Sequence, residues 1–518
     1  MQTLARFMLL AAGVLSGALV SLAPQAHAQG GLSLWTNRSG LNPVVTSPSG
    51  SPTIATDRSG NLFMTGTTRG SNGDVDIAVL SLSGAGVPRW TNSYAGPWSG
   101  NDGPQAIAVD GQGNVFVAGF SAIGGTDWDF VTLAYSNTGE PLWTNYYNGP
   151  GNDLDRARAI AVDGAGNVFV TGWSKDENGL VGYATVAYSG VGVPMWTNRY
   201  KGPGPGGDWV ATIAVDTVGN VFVTGQSSSV NWPTYDYTTV AYSGSGLPLW
   251  TNRYNGSGTG SDSANAIAVD RNGNVFVTGS SIGNRGDLDF ATVAYSGAGV
   301  ALWTNRYNGL GNTNDSANAI AVDKDGNVFV TGSSWRGSSS SSSDYTTIAY
   351  SGAGVPLWTN RYNGPGNNFD EPRAIAVDSA GNVFVTGWSW RGTVSTSGDF
   401  ATVAYSGAGV PLWTNRYNGP LNDDDEADAI AVDIRGNVFV AGSSTGVGAV
   451  TIKYSSSVQP RLDIQSFSNQ VVLSWNTPGF SLLAAPTIMG TFTNIAGATS
   501  PYTNSANGSE RYFRLSSP

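Results

Sequence analysis

The tripeptide Ala-Val-Asp, followed by a short Gly-Asn turn and Val-Phe-Val, returns along this chain at a nearly constant interval, and that period constrains the fold more than any other feature. Its aspartates are Asp110, Asp163, Asp216, Asp270, Asp323, Asp378 and Asp433, with a weaker copy, Ile-Ala-Thr-Asp, at Asp57. The eight copies are spaced by 53, 53, 53, 54, 53, 55 and 55 residues. A repeat of that size holding several short apolar runs has the length of one four-stranded sheet, and a row of such sheets builds a β-propeller.

The copy from Ala319 to Pro365 shows how one repeat folds. Ala319 to Asp323 reads as a first strand, Val328 to Gly332 as a second, Tyr345 to Tyr350 as a third and Leu357 to Tyr362 as a fourth. Lys324-Asp325-Gly326-Asn327 and Ser351 to Pro356 supply the tight turns, with glycines able to take positive φ. The first three strands are apolar on both faces, as expected for sheets packed between two neighbours. Small residues such as Ala319 and Ala321 suit the crowded wall of a central channel. The fourth strand, carrying Asn360 and Arg361, suits a solvent-facing rim. This order puts the Asp-x-x-Gly-Asn turns at one end of the ring and the longer, variable loops at the other, where recognition is normally placed.

Trp-Thr-Asn also occurs eight times, at Trp35, Trp90, Trp143, Trp196, Trp250, Trp303, Trp358 and Trp413. The first copy precedes the first inner strand, and the last inner strand has none after it. The segment Leu34 to Arg38 is therefore expected to complete the last blade and leave no exposed edge. The expected fold is all-β: an eight-bladed β-propeller, four antiparallel strands per blade, closed by the N-terminal strand, plus a small C-terminal β module. Seven blades with a degenerate copy around Asp57 is the alternative. The repeat, Ala-Ile-Ala-Val-Asp-x-x-Gly-Asn-Val-Phe-Val-Thr-Gly-x-Ser, resembles the β-propeller repeat of secreted bacterial proteins over about residues 32 to 455. That resemblance implies a fold and export, not one activity.

Residues 1–28 read as a signal peptide: Arg6, an apolar run from Phe7 to Leu22, and Ala26-His27-Ala28 as a cleavage site. The propeller is expected over 29–455 and a small β domain over 456–518. The latter, with Leu462-Asp463-Ile464, Val471 to Trp475, Phe480-Ser481-Leu482 and Tyr512 to Leu515, resembles a module appended to secreted proteins of planctomycete and verrucomicrobial type. Attachment or export is what that resemblance implies for it. The expected location is outside the cell, in the periplasm or on the cell surface, with no membrane span once the signal is removed.

The chain has no cysteine, and its one histidine, His27, falls in the signal. Histidine-activated serine or cysteine nucleophiles, ordinary zinc sites and disulfides are thereby excluded. A formal net charge of −11 with no basic block argues against nucleic acid as a partner. Carboxylates, hydroxyls, amides, Lys, Arg and aromatic rings remain for chemistry.

Two sets of aspartates follow the period at the variable end. Asp102, Asp155, Asp208, Asp262, Asp315, Asp370 and Asp425 stand eight residues before the Ala-Val-Asp aspartate, with Ser49 in the first copy. Asp76, Asp129, Asp236, Asp289, Asp344 and Asp399 open the third strand. Side chains needed in every blade are expected to brace loops. A ring of carboxylates binding Ca²⁺ or a cationic ligand is the competing reading. The best metal candidates are Asp423, Asp424, Asp425, Glu426 and Asp428. No cofactor is expected, with Ca²⁺ left open.

The Trp-Thr-Asn tryptophans are expected to pack between blades. Eight others, Trp98, Trp128, Trp173, Trp209, Trp232, Trp335, Trp388 and Trp390, fall in or beside the variable loops without holding one repeat position. Indole faces stack on sugar rings and other aromatics, so these eight are the candidate ligand-binding residues. The expected function is a secreted, non-catalytic, monomeric binding scaffold for a glycan or protein ligand. The alternatives are a carboxylate-dependent glycoside hydrolase, a quinoprotein-like dehydrogenase, suggested by Gly-x-x-x-Trp turns such as Gly354 to Trp358, and a purely structural cell-envelope protein.

Overall fold

The computed structural model describes residues 31–39, 53–71, 73–123, 127–230, 233–337, 342–392 and 397–455, and beyond them 462–467, 470–475, 481–487, 491–505 and 512–516. The proposed signal, residues 1–28, lies outside them. Ser33–Ser456 forms one compact body. In it, eight four-stranded antiparallel sheets follow one another along the chain.

Sheet six shows how the repeat produces its strands. Asp315–Val322 pairs with Val328–Trp335, which pairs with Ser343–Tyr350, which pairs with Pro356–Tyr362. The third strand starts two residues earlier than the hydrophobic run suggests, because Trp335 pairs with Ser343 and Ser334 with Asp344 before the apolar stretch begins. The middle strands are buried almost throughout, while the first strand is half-buried along its Ala-Ile-Ala-Val half.

Aspartate makes the first turn. Asp323 Oδ1 accepts the N–H of Asp325 at 2.9 Å and of Asn327 at 2.8 Å, and Oδ2 accepts Asn327 Nδ2 at 2.8 Å. Asp57, Asp110, Asp163, Asp216, Asp270, Asp378 and Asp433 make the same three bonds in their own sheets. A short carboxylate saturating local donors is what a tight turn favours.

Tryptophan joins sheet to sheet. Trp303 Nε1 donates to Gly352 O at 2.9 Å, and Asn305 Nδ2 donates to Gly354 O at 2.7 Å, both in the last turn of the next sheet. Gly354 has φ +79, and a Cβ there would come within 2.6 Å of the Trp303 ring, so the turn requires glycine twice over. Trp90, Trp143, Trp196, Trp250 and Trp358 repeat the arrangement. Asn360 and Arg361 are thus not rim residues facing solvent, as their polarity suggests. Asn360 bonds the next sheet at Gly409 O, and Arg361 turns inward to Ser334 and Asp344.

Apolar clusters lie between neighbouring sheets. Phe329, Tyr345 and Ala349 of sheet six, for example, pack on Val383, Val385 and Val403 of sheet seven. Sheet eight comprises Asp425–Val432, Val438–Ser444, Gly448–Tyr454 and, as its outer strand, Ser33–Arg38 from the other end of the body. Trp35 pairs with Lys453 and Arg38 with Val450. Trp35 Nε1 also donates to Gly84 O of sheet one at 3.2 Å. A further cluster joins Leu62, Met64, Leu80 and Leu82 of sheet one to Phe439, Ala441 and Ala449 of sheet eight.

The chain from Ser457 onward belongs to a separate unit. It contains two three-stranded sheets, one of Leu462–Phe467, Gln470–Trp475 and Tyr502–Ser505, the other of Thr493–Asn494, Ser481–Ala485 and Tyr512–Ser516. Among the described residues, no helix is long and apolar enough to cross a membrane.

Candidate functional site: the variable end of the sheets

Inner strands begin, second strands end, third strands begin and fourth strands end at the variable end, so four kinds of position meet there in each sheet. The aspartate opening the inner strand is buried in sheets two to eight. Asp315 Oδ2 accepts the N–H of Gly309 at 2.5 Å, and Oδ1 accepts that of Trp335 at 3.2 Å. Asp102, Asp155, Asp208, Asp262, Asp370 and Asp425 likewise accept the N–H of Gly96, Gly149, Gly202, Gly256, Gly364 and Gly419. Each carboxylate holds the loop that leads into its own strand. Burial raises the pKa of Asp370 to about 6, against the opposing hydrogen bonds from Ser389 and Gly364.

The aspartate opening the third strand has a different partner. Asp236, Asp289, Asp344 and Asp399 pair with Arg253, Arg306, Arg361 and Arg416 of the fourth strand in the same sheet, at 2.9, 2.8, 3.3 and 3.0 Å. Sheets one and two carry Ser93 and Tyr146 where that arginine stands. Asp129, buried in sheet two, has its pKa raised to about 6 by desolvation and by the charges of Asp155 and Asp127. Asp76 of sheet one is shifted the same way, by desolvation and Asp74.

The acidic run Asp423 to Asp428 does not converge on one point. Asp424 Oδ1 accepts Gly398 N–H at 2.9 Å, Asp425 binds Gly419 N–H, and Glu426 and Asp428 both pair with Arg373. Asp423 Oδ1 accepts the N–H of Asp424. Among the described residues, no three acidic or histidine side chains are gathered as a metal would require.

Six of the eight loop tryptophans fall into two arcs. In the first, Trp128 packs on Phe120 with ring centres 4.8 Å apart, and the Arg156 guanidinium lies over both rings, at 5.7 and 4.5 Å. Arg156 is the cross-strand partner of Trp173, which meets Trp209 edge-on at 5.6 Å. In the second, Trp335 meets Phe369 edge-on at 5.5 Å, Phe369 lies 6.2 Å from Trp390, and Trp390 meets Trp388 edge-on at 5.5 Å. Trp388 lies against Gly398, where a Cβ would come within 2.1 Å of the indole. Trp209 is 40% exposed and Trp98, outside both arcs, 57%; the other arc tryptophans are half-buried. Trp232 lies outside the described residues.

Beside Trp335, a cleft of about 350 Å³ is lined by Arg285, Asp287, Asn312, Thr313 and Asn314. Asn312 Oδ1 accepts Arg285 Nη1 at 3.0 Å, while Thr313 Oγ1 is buried with no hydrogen-bond partner among the described residues. An indole edge beside amide, carboxylate and guanidinium groups can bond a polyhydroxylated ligand.

Counting tryptophans alone misses Phe120, Phe369 and Arg156, which link the indoles into arcs. The signal for them lies in positions where one repeat departs from its neighbours. Phe120 and Arg156, for instance, stand where sheet six has Ser333 and Ser316.

Six stretches, residues 142–179, 199–231, 250–287, 305–337, 357–391 and 412–448, match the family model described as Beta-propeller repeat. Each runs from a fourth strand into the second strand of the next sheet. Six stretches of the chain thus match β-propeller repeats, and the elements of its described residues are all β-strands. No curated protein matches it. Among solved structures, it is similar to a crystal structure of the eukaryotic initiation factor, at 9% identity and TM-score 0.40, covering 70% of this chain and 77% of that one. It is also similar to a protein of unknown function from Dyadobacter fermentans DSM 18053, at 10% identity and TM-score 0.35, covering 62% and 96%.

Proposed function

We propose that the body is a closed eight-bladed propeller, exported from the cell, that acts as a non-catalytic binding scaffold and takes carbohydrate at its variable end. Closure is supported by the Ser33–Arg38 strand in sheet eight and by the apolar cluster between sheets eight and one. Export is supported by the apolar, Ala-x-Ala-ended leader.

The observation that carries the binding reading is the pair of aromatic arcs. Seven of the eight Trp-Thr-Asn indoles donate to the next sheet, whereas the arc tryptophans differ from repeat to repeat, and Trp209 is 40% exposed. Partly exposed indoles flanked by Asn, Asp and Arg suit a sugar, whose ring offers C–H groups on its face and hydroxyls at its edge. Apart from Asp76 and Asp129, the repeated carboxylates brace loops or pair with arginine, which favours a scaffold over a hydrolase.

Titration of soluble polysaccharides against intrinsic tryptophan fluorescence tests the reading. A spectral shift or quenching with at least one glycan is expected, weakened in a Trp388→Ala, Trp390→Ala double variant. Silence across a glycan array overturns it.

A further inference from the structure

Seven of the eight sheets interrupt their inner strand with a β-bulge, and the residue at the bulge varies in size and charge around the set, Asn265 and Asn318 being the one pair of neighbours alike. In order they are Gln105, Arg158, Ala211, Asn265, Asn318, Arg373 and Asp428. A bulge turns its extra side chain out of the regular pleat, and here it turns several toward the next sheet. Asn265 Nδ2 donates to Ala317 O at 2.8 Å, and Asn318 Nδ2 donates to Pro372 O at 2.7 Å. Arg373 of sheet seven reaches the same way, to Glu426 at 3.0 Å and to Asp428. Those two acids are the first and third residues after Asp425 in sheet eight.

Arg158 stands to sheet four as Arg373 stands to sheet eight. The first and third residues after Asp208 are Trp209 and Ala211, so an indole and a methyl group replace the two carboxylates. Arg158 is exposed, with no ion pair or hydrogen bond among the described residues. Its pKa is nonetheless lowered by desolvation. Desolvation, and then the charge of Arg158, lowers Arg156 as well. Arg158, lacking the counter-charge that its counterpart Arg373 possesses, offers its guanidinium to an anion.

We propose that Arg158 anchors a carboxylate of the ligand, carried by a uronic-acid unit of an acidic glycan that lies along the Trp173–Trp209 pair. A carboxylate presents two coplanar oxygens to the guanidinium fork, and it would take the place that Asp428 takes beside Arg373. The neighbouring indoles supply the surface for the sugar ring. The inference rests on the carbohydrate reading above and narrows it to a charge class and a place.

The test compares an oligogalacturonate with its methyl ester, which keeps the sugar and removes the charge, and with polyglutamate, which keeps the charge and removes the sugar. Binding is read by calorimetry on the full protein, on Arg158→Gln, and on Ala211→Asp, which supplies the missing carboxylate from within the chain. Unchanged thermal midpoints show that the variants fold. The expected result is that the acid binds about tenfold or more tightly than the ester and that both substitutions abolish this preference. Equal binding of acid and ester, or a preference that survives both substitutions, overturns the inference and leaves the carbohydrate reading intact. So does silence toward galacturonate in a protein that binds neutral glycans. Polyglutamate bound through Arg158 while all sugars stay inert overturns both.

Discussion

The two ends of each sheet are built from the same few residue types, yet they differ in how completely those residues are used. At the turn end, eight aspartates make the same three hydrogen bonds, and glycine receives the indole of the preceding sheet. At the variable end, aspartates are again engaged, but between them stand side chains that change from sheet to sheet: Phe120, Trp173 and Trp388 on second strands, and Arg158, Arg373 and Asp428 at the inner bulges. A residue that recurs with the repeat serves the repeat. Departures from the period are where a ligand can be distinguished, since the scaffold does not require them.

The largest test of that contrast removes a repeated element. Deleting residues 29–41 takes away the outer strand of sheet eight, with the Trp35 indole against Phe439, and is expected to lower the thermal midpoint by about 10 °C or more, read by calorimetry. A midpoint that does not move would detach this strand from stability. Next in size is Asp129→Asn. The folded pKa of Asp129, about 6, lies above its ordinary 3.8, so its stabilising contribution is complete below pH 4 and lost as pH rises through 6. The neutral amide is therefore expected to raise stability at pH 7 by about 2 kcal/mol and to flatten the gain that the parent protein shows between pH 7 and pH 5. Urea unfolding at the two pH values checks the sign.

Smaller still, Trp388→Ala with Trp390→Ala is expected to weaken glycan binding about tenfold while shifting the midpoint far less than loss of the outer strand, as calorimetric titration and melting will report. Reversal of that order would exchange the roles of the two ends. The finest test stays within the rim set. Trp358 Nε1 donates to Gly407 O at 2.9 Å, whereas Trp413 Nε1, on a residue only 3% exposed, has no acceptor among the described residues. Trp358→Phe is expected to cost about 1 kcal/mol more than Trp413→Phe in denaturant unfolding.

Strand order, turn positions and the pairing of Ser33–Arg38 with the last sheet were legible because each follows from a recurring residue. Arg361 was misread because polarity alone does not tell an outward cation from one folded back onto Ser334 and Asp344. The arcs were half-legible: tryptophans stand out individually, but Phe120 and Phe369 look like ordinary core residues until cross-strand register places them beside an indole. Arg158 was not legible at all. Its meaning depends on Ala211, 53 positions later, standing where a carboxylate meets Arg373. Only the sheet-to-sheet geometry makes the two positions comparable.

The borrowed outer strand also dictates a timetable. Ser39 bonds to Ala449, 410 positions away, so among the described strands of the body Ser33–Arg38 waits longest for its partner. Until synthesis reaches Tyr454, Ser33–Arg38 has no sheet to join, and Gly448–Tyr454 presents a bare edge until that strand arrives. Completion of sheet eight is thus a late event in synthesis, and it brings the Trp35 ring against Phe439.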